Sequence, residues 1–118
     1  MRNFREYDVW IDGMDIVKSI YTIVTDFPSS EKFSLTSQIT RSAVSIPSNI
    51  AEGASRNSEK DFARFLEISL GSAFELETQL RVANQLNYIA KPSFEQLLEN
   101  ITSLQKRIHG LRKTVLNK

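Results

Sequence analysis

One stretch of the chain carries polar residues at the spacing of a single helix face. These residues are Gln38, Arg41, Ser45, Asn49 and Glu52, which step by three, four, four and three. Arg56 continues the face into the next turn. Guanidinium and amide groups donate hydrogen bonds to phosphates and base edges, so this polar face is a candidate nucleic-acid contact. Residues 38–57 contain no aromatic side chain that would stack on single-stranded bases.

A structural role competes for the same polar face. Arg41, Asn49 and Glu52 would then pair with one another, or satisfy the backbone near Pro47. Glu75, on the following predicted helix, is a further candidate partner for Arg41, since half-buried charges need such partners. The sequence leaves both roles open.

The C-terminal part of the chain is rich in cations. The last acidic residue is Glu99, and four basic residues that follow it form a candidate basic patch: Lys106, Arg107, Arg112 and Lys113. These cations either suit the dipole at a helix C-terminus or bind nucleic acid. The net charge of the whole chain does not decide between these two roles, because 15 basic and 14 acidic residues leave a net charge of only +1.

Catalytic and metal chemistry find little support. His109 is the single histidine, and no acidic residue or second histidine lies three or four positions from it. The chain has no Cys, and it lacks the paired Glu-x-x-His motifs of di-iron bundles. Glu52 and Glu75 are the only acid/base pair worth naming. We therefore expect a non-enzymatic protein with no catalytic residue, cofactor, metal or small-molecule substrate.

Apolar residues recur at helical spacing in four segments that would position these groups. The predicted helices span about 8–26, 35–52, 59–87 and 94–117. Short links make sequential helices antiparallel, so we predict one all-α domain, residues 1–118, folded as an up-down-up-down four-helix bundle. Pro47 lies inside the second helix and predicts a kink there. We expect no secretory leader and no membrane span, and we expect a cytoplasmic location.

The helix ends carry capping signals. Ser58 and Asp61 resemble a capping box at the third helix, and Ser93 is the expected N-cap of the fourth. Gly53 is the expected residue just beyond the end of the second helix. The apolar face of the first helix is wider than one core needs, which indicates burial on two sides, as in an oligomer.

Several strings resemble a bacterial family of small bundle proteins encoded in intervening sequences of large-subunit ribosomal RNA genes. The matching strings are residues 4–6 (Phe-Arg-Glu), 8–10 (Asp-Val-Trp), 35–39 (Leu-Thr-Ser-Gln-Ile), 43–53 (Ala-Val-Ser-Ile-Pro-Ser-Asn-Ile-Ala-Glu-Gly), 65–66, 70–72 and 75–77. Residues 54–56, Ala-Ser-Arg, depart from the Ala-Gly-Arg expected of the family. The resemblance covers nearly the whole chain.

The resemblance implies an antiparallel four-helix bundle that assembles into a ring-like homo-oligomer, a pentamer. It implies no settled activity. A role in binding RNA or DNA follows only from the genomic setting, which is an association and not a mechanism. The rival interpretation is a protein-interaction or scaffold module with no nucleic-acid role.

Overall fold

A computed structural model describes residues 2–118, and these residues form helices and turns without a β-strand. The four helices are α1 (Asp8–Ile23), α2 (Leu35–Ala54), α3 (Glu59–Gln85) and α4 (Lys91–Leu116). Short 3₁₀ turns span Phe4–Glu6, Val24–Asp26 and Ser29–Glu31. The predicted all-α fold with four helices is confirmed.

The core is formed by the apolar stripe of each helix. Residues with no exposed surface occur on all four: Ile20, Ile39, Ile46, Ile50, Leu66, Leu76, Leu80, Ile101, Leu104 and Ile108. Together with the other buried apolar residues, they give each helix one continuous apolar side. The molecule is elongated, with principal extents of 45 × 24 × 20 Å.

Hydroxyl and amide groups join α2 to α3 through the core boundary. The hydroxyl of Ser42 donates to Oε1 of Gln79 at 2.6 Å, and the hydroxyls of Ser45 and Ser72 lie 2.8 Å apart. Later positions of α2 thus meet earlier positions of α3. Since buried polar groups need hydrogen-bond partners, these contacts fix the two helices against each other.

Several helix bounds differ from prediction by one to three residues, and two residues predicted to mark helix ends do not do so. Helix α4 begins at Lys91 rather than 94, and its N-cap is Ala90 rather than Ser93. Pro92 occupies the first turn, where the missing N–H costs no helical hydrogen bond. Helix α2 continues through Gly53 to Ala54, so Gly53 does not end the helix.

Other local predictions have mixed outcomes. Ser58 caps α3 as expected, since the N–H of Asp61 donates to its hydroxyl at 3.0 Å. Pro47 is buried inside α2, which runs unbroken around it, and the kink there stays a prediction. Within residues 2–118, none of the helices combines the length and apolarity that a membrane span requires.

Candidate functional site

The first charged residue of the predicted polar face and its candidate partner on α3 are exposed. The side chains of Arg41 and Glu75 both lie at the surface. Neither makes an ion pair or a side-chain hydrogen bond with another described residue, so the expected pairing of Arg41 with Glu75 within one chain is not formed. Glu75 lies on α3 between Ser72 and Gln79, the residues that contact α2.

Ser45 and Asn49 belong to the bundle rather than to a recognition surface. The amide of Asn49 donates to the backbone carbonyl of Ser45 at 2.8 Å and to its hydroxyl at 2.9 Å. Ser45 in turn contacts Ser72 on α3. Both side chains are half-buried, and the contact of Asn49 with the backbone of α2 agrees with the structural role considered for that residue.

Glu52 and Arg56 lie at the end of α2. Their side chains form an exposed ion pair, with Nη2 of Arg56 3.2 Å from Oε1 of Glu52. The exposed position of both carboxylates and the pairing of Glu52 with Arg56 give no support to an acid/base pair of Glu52 and Glu75. Residues 2–118 hold no group of three His, Cys, Asp or Glu side chains that would bind a metal ion.

The predicted basic patch on α4 is divided by ion pairs. Nη1 of Arg107 lies 2.5 Å from Asp12 and 3.3 Å from Asp8, both on α1. Burial lowers the pKa of Arg107, but the hydrogen bonds and charges of Asp12 and Asp8 outweigh it and raise the pKa overall. Arg107 therefore joins α1 to α4.

The other members of the basic patch behave differently from Arg107. Arg112 pairs with Glu67 of α3 at 3.0 Å. Lys106 and Lys113 are exposed, and neither forms an ion pair within the described part of the chain. The four cations thus do not act as one surface.

A cluster of cations lies where α2, α3 and α4 end or begin; the sequence named Arg56 and Arg112 separately but did not predict the cluster. We call this cluster the basic end; its members are Arg2, Arg56, Lys60, Arg64 and Arg112. Arg2 donates to the backbone carbonyls of Ala54 at 3.2 Å and of Arg56 at 2.7 Å, and it pairs with Glu59.

Two buried phenylalanine rings support the guanidinium groups of the basic end. The guanidinium carbons of Arg56 and Arg64 lie 4.6 and 4.5 Å from the ring centre of Phe65. Arg2 lies 4.6 Å from the ring centre of Phe62. Cation–π contacts of this kind hold a guanidinium in a fixed plane. The spacing of four between Lys60 and Arg64 on α3 is the sequence signal that would have found part of the cluster.

An open groove of about 620 Å³ runs along the basic end between α3 and α4. Lys60, Arg64 and Arg112 line it together with Asp61 and Glu67. The acids offset part of the charge, since Arg64 bonds Asp61 at 3.0 Å. The side chain of Arg64 is still 58% exposed, so its remaining donors face solvent.

A second surface is apolar. A groove of about 450 Å³ lies between α1 and α2, and we call it the apolar groove; its lining residues are Phe4, Trp10, Met14, Val17, Val44, Pro47, Ser48 and Ala51. Met14 is 45% exposed and Val44 is 39% exposed. This groove accounts for the wide apolar face of α1, because the core covers only one side of that helix.

Comparison with known proteins places the chain in a family. Residues 5–110 match the model of the 23S rRNA-intervening sequence protein family. A crystal structure of a protein of unknown function from the S23 ribosomal protein family of Bacteroides thetaiotaomicron VPI-5482 is 27% identical and superimposes with a TM-score of 0.80. The match covers 89% of this chain and 98% of that one. No curated protein matches the chain significantly. The chain belongs to the 23S rRNA-intervening sequence protein family.

Proposed function

We propose that this member of the 23S rRNA-intervening sequence protein family is a non-enzymatic, cytoplasmic, homo-oligomeric bundle that binds RNA through its basic end. The assembly is a ring, a pentamer. Each protomer is an up-down-up-down bundle with a bend at Pro47. The opposite direction of the contacts along α2 and α3 supports this topology.

The observation that carries the proposal is the basic end itself. Lys60 and Arg64 are exposed on the first turns of α3, and Arg56 and Arg64 share the ring of Phe65. Phe65 is only 7% exposed, so its ring is not free to stack on a base. The ligand groups for such a surface are phosphates, which are recognised without reading sequence.

Assembly strengthens a modest site. One protomer presents few free cations, because several members of the basic end have acidic partners. A ring presents the same cluster once per protomer, and linked sites bind a long polyanion far more tightly than any single site does. The proposal therefore links RNA binding to the oligomer.

Fluorescence anisotropy tests the proposal with labelled structured RNA, single-stranded RNA and duplex DNA at two salt concentrations. The expected result is binding that weakens steeply with salt. Changing both Lys60→Gln and Arg64→Gln should reduce the slope of log affinity against log salt by about 2.

The matched control is Lys91→Gln, an exposed cation at the first residue of α4 and away from the basic end. It should leave affinity and slope unchanged. If none of the three probes bound at low salt, the proposal of RNA binding would be refuted. If Lys91→Gln weakened binding as much as the Lys60→Gln/Arg64→Gln variant does, the basic end would not be the binding site.

The apolar groove favours a second candidate function. A contiguous patch of exposed apolar side chains, such as this groove, marks an interaction site on soluble proteins. If the intact oligomer leaves the groove open and binds no nucleic acid, a protein-interaction or scaffold module is the better conclusion. Protection of Met14 and Val44 from solvent in the purified oligomer would show instead that the groove is used for assembly.

A further inference from the structure

Arg41 of the predicted polar face and its candidate partner Glu75 are both charged, and neither has an ion-pair or side-chain hydrogen-bond partner in the described chain. Arg41 is exposed on α2, one residue before Ser42, and Glu75 is exposed on α3 between Ser72 and Gln79. The bonds from Ser42 to Gln79 and from Ser45 to Ser72 place both charges at the same height on the bundle. No ion pair joins them.

Exposed apolar side chains lie on the same helix faces as both charges, one turn from Arg41 and two turns from Glu75. Val44, one helical turn after Arg41, is 39% exposed and lines the apolar groove. Ile68 and Val82 lie seven residues before and after Glu75, on the same side of α3, and are 41% and 39% exposed. We call Ile68, Glu75 and Val82 the α3 strip. A single charge set among exposed apolar groups is expected of a covered surface more than of a solvated one.

We propose that Arg41 of one protomer pairs with Glu75 of the next, so that the apolar groove of the first covers the α3 strip of its neighbour. This inference rests on the proposed homo-oligomer and names its contact. The occupant is a second copy of this chain because the two surfaces are complementary in charge as well as apolar. The groove carries a cation at its edge, and the strip carries an anion at its middle.

The contact is head-to-tail. The groove belongs to α1 and α2, whereas the strip belongs to α3, so two different surfaces meet. Such heterologous contacts repeat from protomer to protomer, and they close into a ring when the rotation between neighbours allows it. An assembled mass of two protomers would indicate a two-fold contact instead.

Charge reversal tests the pairing, with the assembled mass measured by sedimentation and light scattering. Arg41→Glu and Glu75→Arg should each raise the dissociation constant of the assembly by at least about tenfold, because like charges then face each other. The two changes on one chain should restore assembly. Lys106→Glu, an exposed and unpaired cation on α4, is the matched control and should change nothing.

Mixing distinguishes contact between chains from contact within one chain. An equimolar mixture of the two single variants sets an arginine opposite a glutamate wherever unlike chains meet, so mixed assemblies should form. Circular dichroism confirms that each variant is folded, as expected for changes at exposed positions.

Three results would overturn the inference. Single variants that assemble as the wild type does would show that the pair is not at the contact. A five-membered ring of two variants keeps at least one contact between like variants, so mixing should restore assembly only in part. Restoration by the double variant with no gain at all on mixing would place the pair inside one chain. A wild-type protein that is monomeric at every concentration would overturn the proposed oligomer as well, which separates that failure from the first two.

Discussion

Gly53 of α2 and Phe65 of α3 approach so closely that no other side chain fits between the helices. A Cβ atom on Gly53 would lie 2.6 Å from the Cβ of Phe65 and 3.3 Å from the carbonyl oxygen of Phe62. The φ angle of Gly53 is not positive. The position therefore needs glycine for space, and the close approach places Phe65 where Arg56 and Arg64 reach its ring.

Gly53→Ala is expected to destabilise the protein. Overpacking a tight contact costs about 1–3 kcal/mol, and the better helix propensity of Ala returns about 1 kcal/mol at most. Urea denaturation at fixed protein concentration measures the difference. Gly110→Ala is the control, because a Cβ there meets nothing within 4 Å, and it should gain about 0.5–1 kcal/mol. Equal stabilisation by both changes would contradict the spatial requirement.

Ser69 contributes a buried hydrogen bond beside Pro47. Its hydroxyl, fully buried, donates to the carbonyl of Ile46 at 2.8 Å. Loss of this bond in Ser69→Ala should lower the free energy of unfolding by about 1 kcal/mol. Ser103→Ala, at an exposed position of α4, should change it little. A Ser69→Ala variant as stable as the wild type would show that this hydrogen bond does not contribute to the free energy of unfolding.

The fold was largely predictable because periodicity and caps act locally. The stripe of Leu97, Ile101, Leu104 and Ile108 is buried as its three-four spacing predicts. The prediction of Ser93 as an N-cap was wrong, because the proline just before it suits the first helical turn and the helix starts at Lys91. The prediction that Gly53 ends α2 was wrong for a non-local reason. Its role depends on Phe65, which lies farther along the chain and is brought close only by packing.

The site was less predictable than the fold. Helical spacing correctly put Arg41, Ser45 and Glu52 on one side of α2. It gave no way to see that Ser45 turns toward Ser72 while Arg41 stays in solvent. The basic end was not predicted as a cluster, because Arg2 lies outside every predicted helix and reaches its partners through tertiary contacts.

Stability should fall in acid partly through Glu77. The hydrogen bond from Gln105 lowers its pKa below the ordinary value of 4.5, burial opposes this, and Arg81 lowers it further. A carboxyl whose pKa is lower in the folded state stabilises the fold above the unfolded value and loses that contribution as pH falls through the folded value. The stability advantage of wild type over Glu77→Gln should therefore shrink between about pH 7 and about pH 3.

Urea denaturation at both pH values measures this advantage. Glu95→Gln is the control, because Glu95 is exposed and its nearest cation, Lys91, lies 3.9 Å away. That control should show no comparable change. An advantage of wild type over Glu77→Gln that is the same at both pH values would mean that the bond from Gln105 does not depend on the charge of Glu77.

Trp10, the single tryptophan, should report coverage of the apolar groove. Its ring packs edge-on against Phe4 at 5.3 Å and is only partly buried within one protomer. If a second copy covers the groove, acrylamide should quench Trp10 less in the assembled protein than after dilution, and its emission should lie at shorter wavelength. Arg41→Glu, expected to weaken assembly, should show the accessible signal at concentrations where Lys106→Glu does not. Quenching that is independent of assembly would mean that the groove stays open, and it would direct the search to a different protein partner.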